Sequence, residues 1–283
     1  MAEMGNAQPG WGMIEIGAGV GVLTAELAQR ADKVVCIEID SRLLPILDET
    51  LAEYDNIKIV NQDVLKVDLH KLIAEEFPNM PVAVCANLPY YITSPIIMNL
   101  LESRLPISSL TVMVQKEAAQ RICAMPGSRE VGAVSIAVRY YCEPKVLFQV
   151  SRGSFMPAPD VDSTVIRLDI RKQPTVDVKE EDFFRVVKAA FSQRRKTLSN
   201  TLSSGLSMNK TQIAELLERA GVASNLRAEQ LSMQQFADIA NALIHKKIPH
   251  LKVRIYYRKA TGSFLGSLSL QDTMQRLPGS LLP

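Results

Sequence analysis

Four cysteines, three histidines and one tryptophan are the scarce residues of this 283-residue chain. Cys36, Cys85, Cys123 and Cys142 are widely separated, with no Cys-x-x-Cys pair and no histidine cluster beside them. Their spacing therefore offers no metal site, and buried thiols are the expected reading. His70, His245 and His250 do not cluster, so no Ser-His-Asp triad can be drawn either. Long apolar runs are missing: Val34 to Ile39 and Pro81 to Ala86 are interrupted within a few residues and fall far short of a bilayer span. Met1 to Gly12 carries neither the basic cluster nor the apolar core of a secretory signal. The expectation is a cytoplasmic chain with no transmembrane helix.

What is present is a globular composition, 47% hydrophobic and 22% charged, in a chain long enough for one full core and a second, smaller unit. The net charge of +2 hides an asymmetry. Residues 1–170 hold 14 Lys and Arg against 21 Asp and Glu, whereas residues 171–283 hold 18 against 9. A polyanion footprint on the later part accounts for this, as does a merely solvated basic surface.

Strand-like runs at Met13 to Ile16, Val34 to Glu38, Ile57 to Val60, Val82 to Ala86 and Leu110 to Val114 alternate with helical patterns, which predicts a parallel, doubly wound α/β sheet. Ser41 and Ser94 stand where helix N-caps are expected, with Pro95 as the first helical residue. Beyond a helix ending near Tyr140, two further strands, Lys145 to Val150 and Thr164 to Ile170, follow without a helix between them and predict an antiparallel addition at the sheet edge. Arg171 to Val178 reads as a linker. Glu180 to Leu243 is helical in pattern, with Asn209 as a cap, Gly221 as a stop and a Ser232-x-x-Gln235 capping box.

Three constellations carry chemistry. Glu15-Ile16-Gly17-Ala18-Gly19-Val20-Gly21 sits between the first strand and the first helix, where glycines let backbone approach a ligand closely. Glu38 ends the second strand, placed to accept from both hydroxyls of a ribose. The pair implies an adenosine-containing cofactor. In the dinucleotide fingerprint a third glycine would stand where Val22 is. That spacing favours S-adenosyl-L-methionine and leaves a nicotinamide cofactor open. Asp63, after the third strand, is positioned for the cofactor's adenine amino group, or for a simple turn cap; Ile39 and Val64 flank the two carboxylates and complete the candidate cofactor set.

Asn87-Leu88-Pro89-Tyr90 follows the fourth strand. An adenine amino nitrogen is a poor nucleophile, because its lone pair is delocalised into the ring. The Asn87 side-chain carbonyl and the Leu88 main-chain carbonyl can accept its hydrogens and aim the lone pair at a methyl donor. Pro89 stiffens the turn, and Tyr90 and Phe155 are candidates to stack on the two faces of the target base. Last, Arg194, Arg195 and Lys196 in Phe191 to Leu198 would crowd the first turn of a helix capped by Ser192, against the helix dipole but suited to an RNA phosphate.

Taken together, these segments and Phe155-x-Pro157-x-Pro159-x-Val161-Asp162-Ser163 resemble the ribosomal RNA adenine dimethyltransferases, the bacterial KsgA/RsmA type most closely, from about Trp11 to Leu243. The resemblance implies a Rossmann-like class I methyltransferase sheet with a small all-α C-terminal domain: a catalytic domain over 1–172, a helical RNA-binding domain over 173–243 and an unclassified basic tail over 244–283. It implies S-adenosyl-L-methionine held by Gly17 to Gly21, Glu38 and Asp63, and an adenine held by Asn87, Leu88, Tyr90 and Phe155. It further implies N6 dimethylation of two adjacent adenosines in small-subunit (16S) ribosomal RNA, by a monomer that meets the immature small subunit and no membrane. The Gln-Asn-Phe-Leu motif and basic arm that precede the first strand in such proteins are not in this sequence. The alternative reading is therefore an RNA-binding assembly factor for the small subunit with impaired catalysis.

Overall fold

β-Branched and small apolar residues fill the central strands because those strands are covered on both faces, so no polar alternation is tolerated. A computed structural model of the chain describes residues 1–89 and 92–245; the expected tail over 244–283 lies almost wholly outside them. Five parallel strands, β1 (Gly12–Ile16), β2 (Lys33–Glu38), β3 (Ile57–Asn61), β4 (Val82–Asn87) and β5 (Ser109–Gln115), are followed by β6 (Cys142–Val150) and β7 (Ser163–Ile170). The sheet runs β3-β2-β1-β4-β5-β7-β6, and β7 lies antiparallel to β5 and β6. The sequence predicts this edge addition, and it is found. Helices α1 (Val22–Ala28), α2 (Leu44–Thr50), α3 (Leu69–Glu76), α4 (Thr93–Glu102), α5 (Lys116–Ile122) and α6 (Ala133–Tyr141) connect the strands.

Two helix starts differ from the sequence reading. Asp40, not Ser41, caps the turn ahead of α2: its Oδ1 accepts from Arg42 N at 3.0 Å, and Ser41 is the first residue of a 3-10 turn. Helix α4 begins at Thr93, so Ser94 and Pro95 are its second and third residues. The cause lies upstream: Pro89 O accepts from Ile92 N at 3.2 Å and from Thr93 Oγ1 at 3.1 Å, tying the helix start to the turn after β4. Pro95 is tolerated because the first turn has no intrahelical partner for its N–H.

The later helices are α7 (Glu180–Ala190), α8 (Leu198–Gly205), α9 (Lys210–Arg219) and α10 (Met233–His245). Asn209 caps α9 reciprocally with Gln212, Gly221 turns the chain with φ +65°, and Ser232 and Gln235 exchange hydrogen bonds ahead of α10. One hydrophobic core runs from β1 through α6 into α7 and α10. Its seam is aromatic: Phe183 stacks on Tyr140 with centroids 4.9 Å apart, and Phe184 stacks on Tyr141 at 5.4 Å. Arg104 lies 4.4 Å from the Tyr141 ring centroid and pairs with Glu180, which also accepts from the Tyr141 hydroxyl at 2.7 Å.

The cysteines behave as packing residues. Burial pushes the thiols of Cys36, Cys85 and Cys142 up to about 12 and that of Cys123 up to about 11, so they are protonated and unreactive at neutral pH. Among the described residues, no group of three His, Cys, Asp or Glu could hold a metal ion, and no helix is long and apolar enough to cross a membrane.

Candidate active site

Strand order reverses between β1 and β4, which opens a crevice at their carboxyl ends. The two strands are in register from Gly12 opposite Val82 to Ile16 opposite Ala86, so Gly17 and Asn87 leave the sheet at the same level. A Cβ on Gly17 would stand 3.9 Å from the Asn87 carbonyl oxygen. The turn after the fourth strand thus faces the glycine loop directly. Gly17 and Gly19 have φ of +78° and +58°, values that side-chain-bearing residues adopt rarely, and a bare loop backbone results.

A cavity of about 550 Å³ opens over this junction, lined by Glu15, Gly17, Ala18, Gly19 and Asn87. Its far wall is Met113 on β5, Phe148 and Val150 on β6, and Val165 on β7. Sequence reasoning missed that wall. Its only signal was the predicted edge strands, since the register that carries Phe148 and Val150 to the cavity is set by pairing with β7.

Glu15 is 1% exposed and accepts a 2.5 Å hydrogen bond from Thr24 Oγ1 on α1. Burial pushes its carboxyl up to about 8; the Thr24 bond opposes that and the nearby Glu38 charge adds to it. Thr24 was also missed, for a threonine in the first turn of a helix carries no mark of its partner. Glu38 is buried, and both its oxygens are engaged: Oε2 accepts from Gly19 N at 3.0 Å and Oε1 from Asp40 N at 2.9 Å. A carboxylate has about four acceptor positions, so capacity for a diol remains while these bonds hold the loop. Asp63 Oδ1 accepts from Leu65 N at 3.0 Å, and Lys66 stands 3.8 Å from Oδ2. The turn-capping alternative for Asp63 is thus realised, at the end of β3 on the same sheet edge. Val64 is buried, and Ile39 is 68% exposed at the end of β2, an apolar face free to cover a ring.

Leu88 is 2% exposed and anchors the turn, while Asn87 is exposed towards the cavity. Tyr90 lies outside the described residues. Phe155 is half-buried in the connection from β6 to β7, where its N–H donates to Arg152 O at 3.3 Å.

The basic loop is where the sequence reading needs correction. Ser192 is not a helix cap: its Oγ donates to Ala189 O at 2.7 Å, and α8 begins six residues later, behind Thr197. Arg194, Arg195 and Lys196 therefore occupy an exposed loop and not a first helical turn. The helix that does follow, α8, has its first two N–H groups used, Leu198 N by Leu226 O at 2.8 Å and Ser199 N by Ser224 O at 3.3 Å. Arg194 Nη2 donates to Arg129 O at 2.9 Å, which joins this loop to the one after α5.

A seven-stranded sheet of this order, with a glycine loop and a β2 carboxylate at its switch point, is the framework of a class I methyltransferase. The family model for ribosomal RNA adenine dimethylase matches residues 2–245, and the chain belongs to that family. It is 51% identical over 243 residues to the ribosomal RNA small subunit methyltransferase A of Alkaliphilus oremlandii, covering 85% of each chain. To the protein of the same name from Geobacillus thermodenitrificans it is 54% identical over 238 residues, covering 82% of this chain and 81% of that one. The crystal structure of a dimethyladenosine transferase from Plasmodium falciparum superposes with a TM-score of 0.72 at 25% identity, over 87% of this chain and 95% of the other. That of the 23S rRNA methyltransferase ErmE gives 0.64 at 28%, over 86% and 95%. The nicotinamide alternative left open by the loop is thereby set aside.

Proposed function

We propose that this protein is an S-adenosyl-L-methionine-dependent methyltransferase that dimethylates N6 of two adjacent adenosines in small-subunit ribosomal RNA, in the cytoplasm, as a monomer acting on the immature subunit. The observation that carries the reading is the meeting of the Asn87 turn and the glycine loop in one cavity. S-adenosyl-L-methionine supplies an electrophilic sulfonium methyl when bound. The cavity and its border suit such a group: the loop backbone is bare at Gly17 and Gly19, Glu15 offers a carboxyl to the cationic methionine end, and Glu38, outside the lining but bonded to Gly19 N, keeps acceptor capacity for ribose hydroxyls. Asp63 and the apolar Ile39 and Val64 complete the nucleoside end.

The chain's own chemistry is then orientation. Asn87 Oδ1 and the Leu88 carbonyl accept the two hydrogens of the adenine amino group, which draws the nitrogen towards tetrahedral geometry. Pro89 has no N–H to compete, and Tyr90 and Phe155 stack on the base. No side chain need act as a general base, because the nitrogen becomes strongly acidic once methylated and yields its proton to water or a carbonyl. Belonging to a dimethylase family favours turnover over the assembly-factor alternative.

The direct test is to incubate small subunits from cells that lack this activity with the purified protein and labelled donor. Dimethyladenosine should appear at two adjacent positions; binding without any label would overturn the reading. For the basic loop, the Arg195→Gln, Lys196→Gln double variant should weaken RNA binding and flatten the plot of log affinity against log salt by about 1.4 to 1.8, the contribution of two phosphate contacts. Filter binding over a salt series measures it, and an unchanged slope would remove these two residues from the interface.

A further inference from the structure

We propose that Met156 is a wedge that enters the RNA base stack beside the target adenosine and fills the gap that base leaves; the inference rests on the adenine-methylating reading above. Met156 is 100% exposed, an unbranched apolar side chain held wholly in water. It sits on the connection between β6 and β7. That connection rises from the catalytic edge of the sheet, since Ser163, at the start of β7, pairs with Gln115 at the end of β5, and Met113 two residues earlier pairs with Asn87. The strands that carry it supply Phe148, Val150 and Val165 to the cavity that Asn87 lines.

The base of this connection is pinned, so its tip is presented and not left to drift. Asp162 Oδ1 accepts from Arg152 N at 3.0 Å, Asp160 O accepts from Arg152 Nη1 at 3.3 Å, and Asp162 O accepts from Lys116 N at 3.0 Å. Exposing such a residue on a braced tip costs apolar burial in the free protein, and a partner that covers it restores the loss. The reaction itself creates a partner. An adenine can reach Asn87 only after leaving its stack, and the vacated step exposes two base faces about one ring apart. Methionine is polarisable and flexible enough to fill an irregular apolar gap, and it belongs to the side chains that proteins insert between base steps.

The test compares wild type with Met156→Ala and Met156→Leu on undermethylated small subunits. Single-turnover methylation should fall about tenfold in Met156→Ala, the size of one lost stacking-type contact, and stay near wild type in Met156→Leu. On subunits reconstituted with RNA that carries an abasic nucleotide beside the target, the wild-type to Met156→Ala ratio should return to about one, because the gap is already there. With 2-aminopurine at the target position, wild type and Met156→Leu should brighten the probe on binding, and Met156→Ala should not. Equal brightening in all three, or an equal slowing of Met156→Ala on both RNAs, overturns the wedge. Absence of methylation by wild type on intact subunits indicts the enzymatic reading instead, a separate outcome.

Discussion

Replacing Asn87 with Ala is expected to lower single-turnover methylation of small subunits by about 10²- to 10³-fold, the range found when one preorganised polar group at a reacting centre is removed. RNA affinity should change little. Asn87 is at the exposed end of β4 and makes no packing contribution that Leu88, 2% exposed, does not already secure, so the fold should survive. The comparison that isolates the chemistry is Asn87→Asp, which keeps an acceptor at Oδ1 but adds a charge and removes the NH2 donor. An intermediate rate is expected. If Asn87→Ala methylates within a few-fold of wild type, the amino group is not gripped at this turn and the mechanism fails.

The second large effect concerns Glu15. Its carboxyl is raised from 4.5 to about 8, first by burial, so the folded protein keeps a proton that the unfolded chain has already released. The stability this confers is full below about pH 4.5 and is lost progressively as pH rises through about 8. Glu15→Gln should therefore melt higher than wild type at pH 8.5, by about 5 °C, with the two melting temperatures converging towards pH 5. A methyl donor with a cationic methionine end reverses the balance, because it favours the ionised carboxylate. Donor binding to wild type should thus release a proton near neutral pH, seen by calorimetry in buffers of different ionisation enthalpy, and Glu15→Gln should bind more weakly and release none. Parallel melting profiles for the two proteins would show that Glu15 is not held protonated.

The strands were legible because covering both faces of a parallel sheet forces runs such as Val34 to Ile37 and Val82 to Ala86, which little else produces. The edge that carries the candidate site was legible for a related reason: ligands meet such sheets where strands end, and Glu15, Glu38 and Asn87 all stand at or next to strand ends. Some helix starts were not, because caps compete with other partners, although the Asn209 cap and the Ser232–Gln235 box are as the sequence predicts. Ser94 yields to a start fixed by Pro89 O, and Ser192 turns back to Ala189 while Leu198 N finds Leu226, 28 positions on. The outer wall of the cavity was invisible for the same reason. Phe148 and Val165 are ordinary strand residues until antiparallel pairing brings them opposite one another.

The aromatic seam from Tyr140 to Phe236, with the Arg104–Glu180 pair beside it, packs the helices directly against the sheet. On the proposed reading, in which the Arg194 to Lys196 loop holds RNA phosphate, that packing would set the span between this hold and the mouth of the cavity, and the protein would act as a caliper. Two neighbouring nucleotides would not both satisfy one such span, so on that reading serving the second would require the RNA to advance by one step.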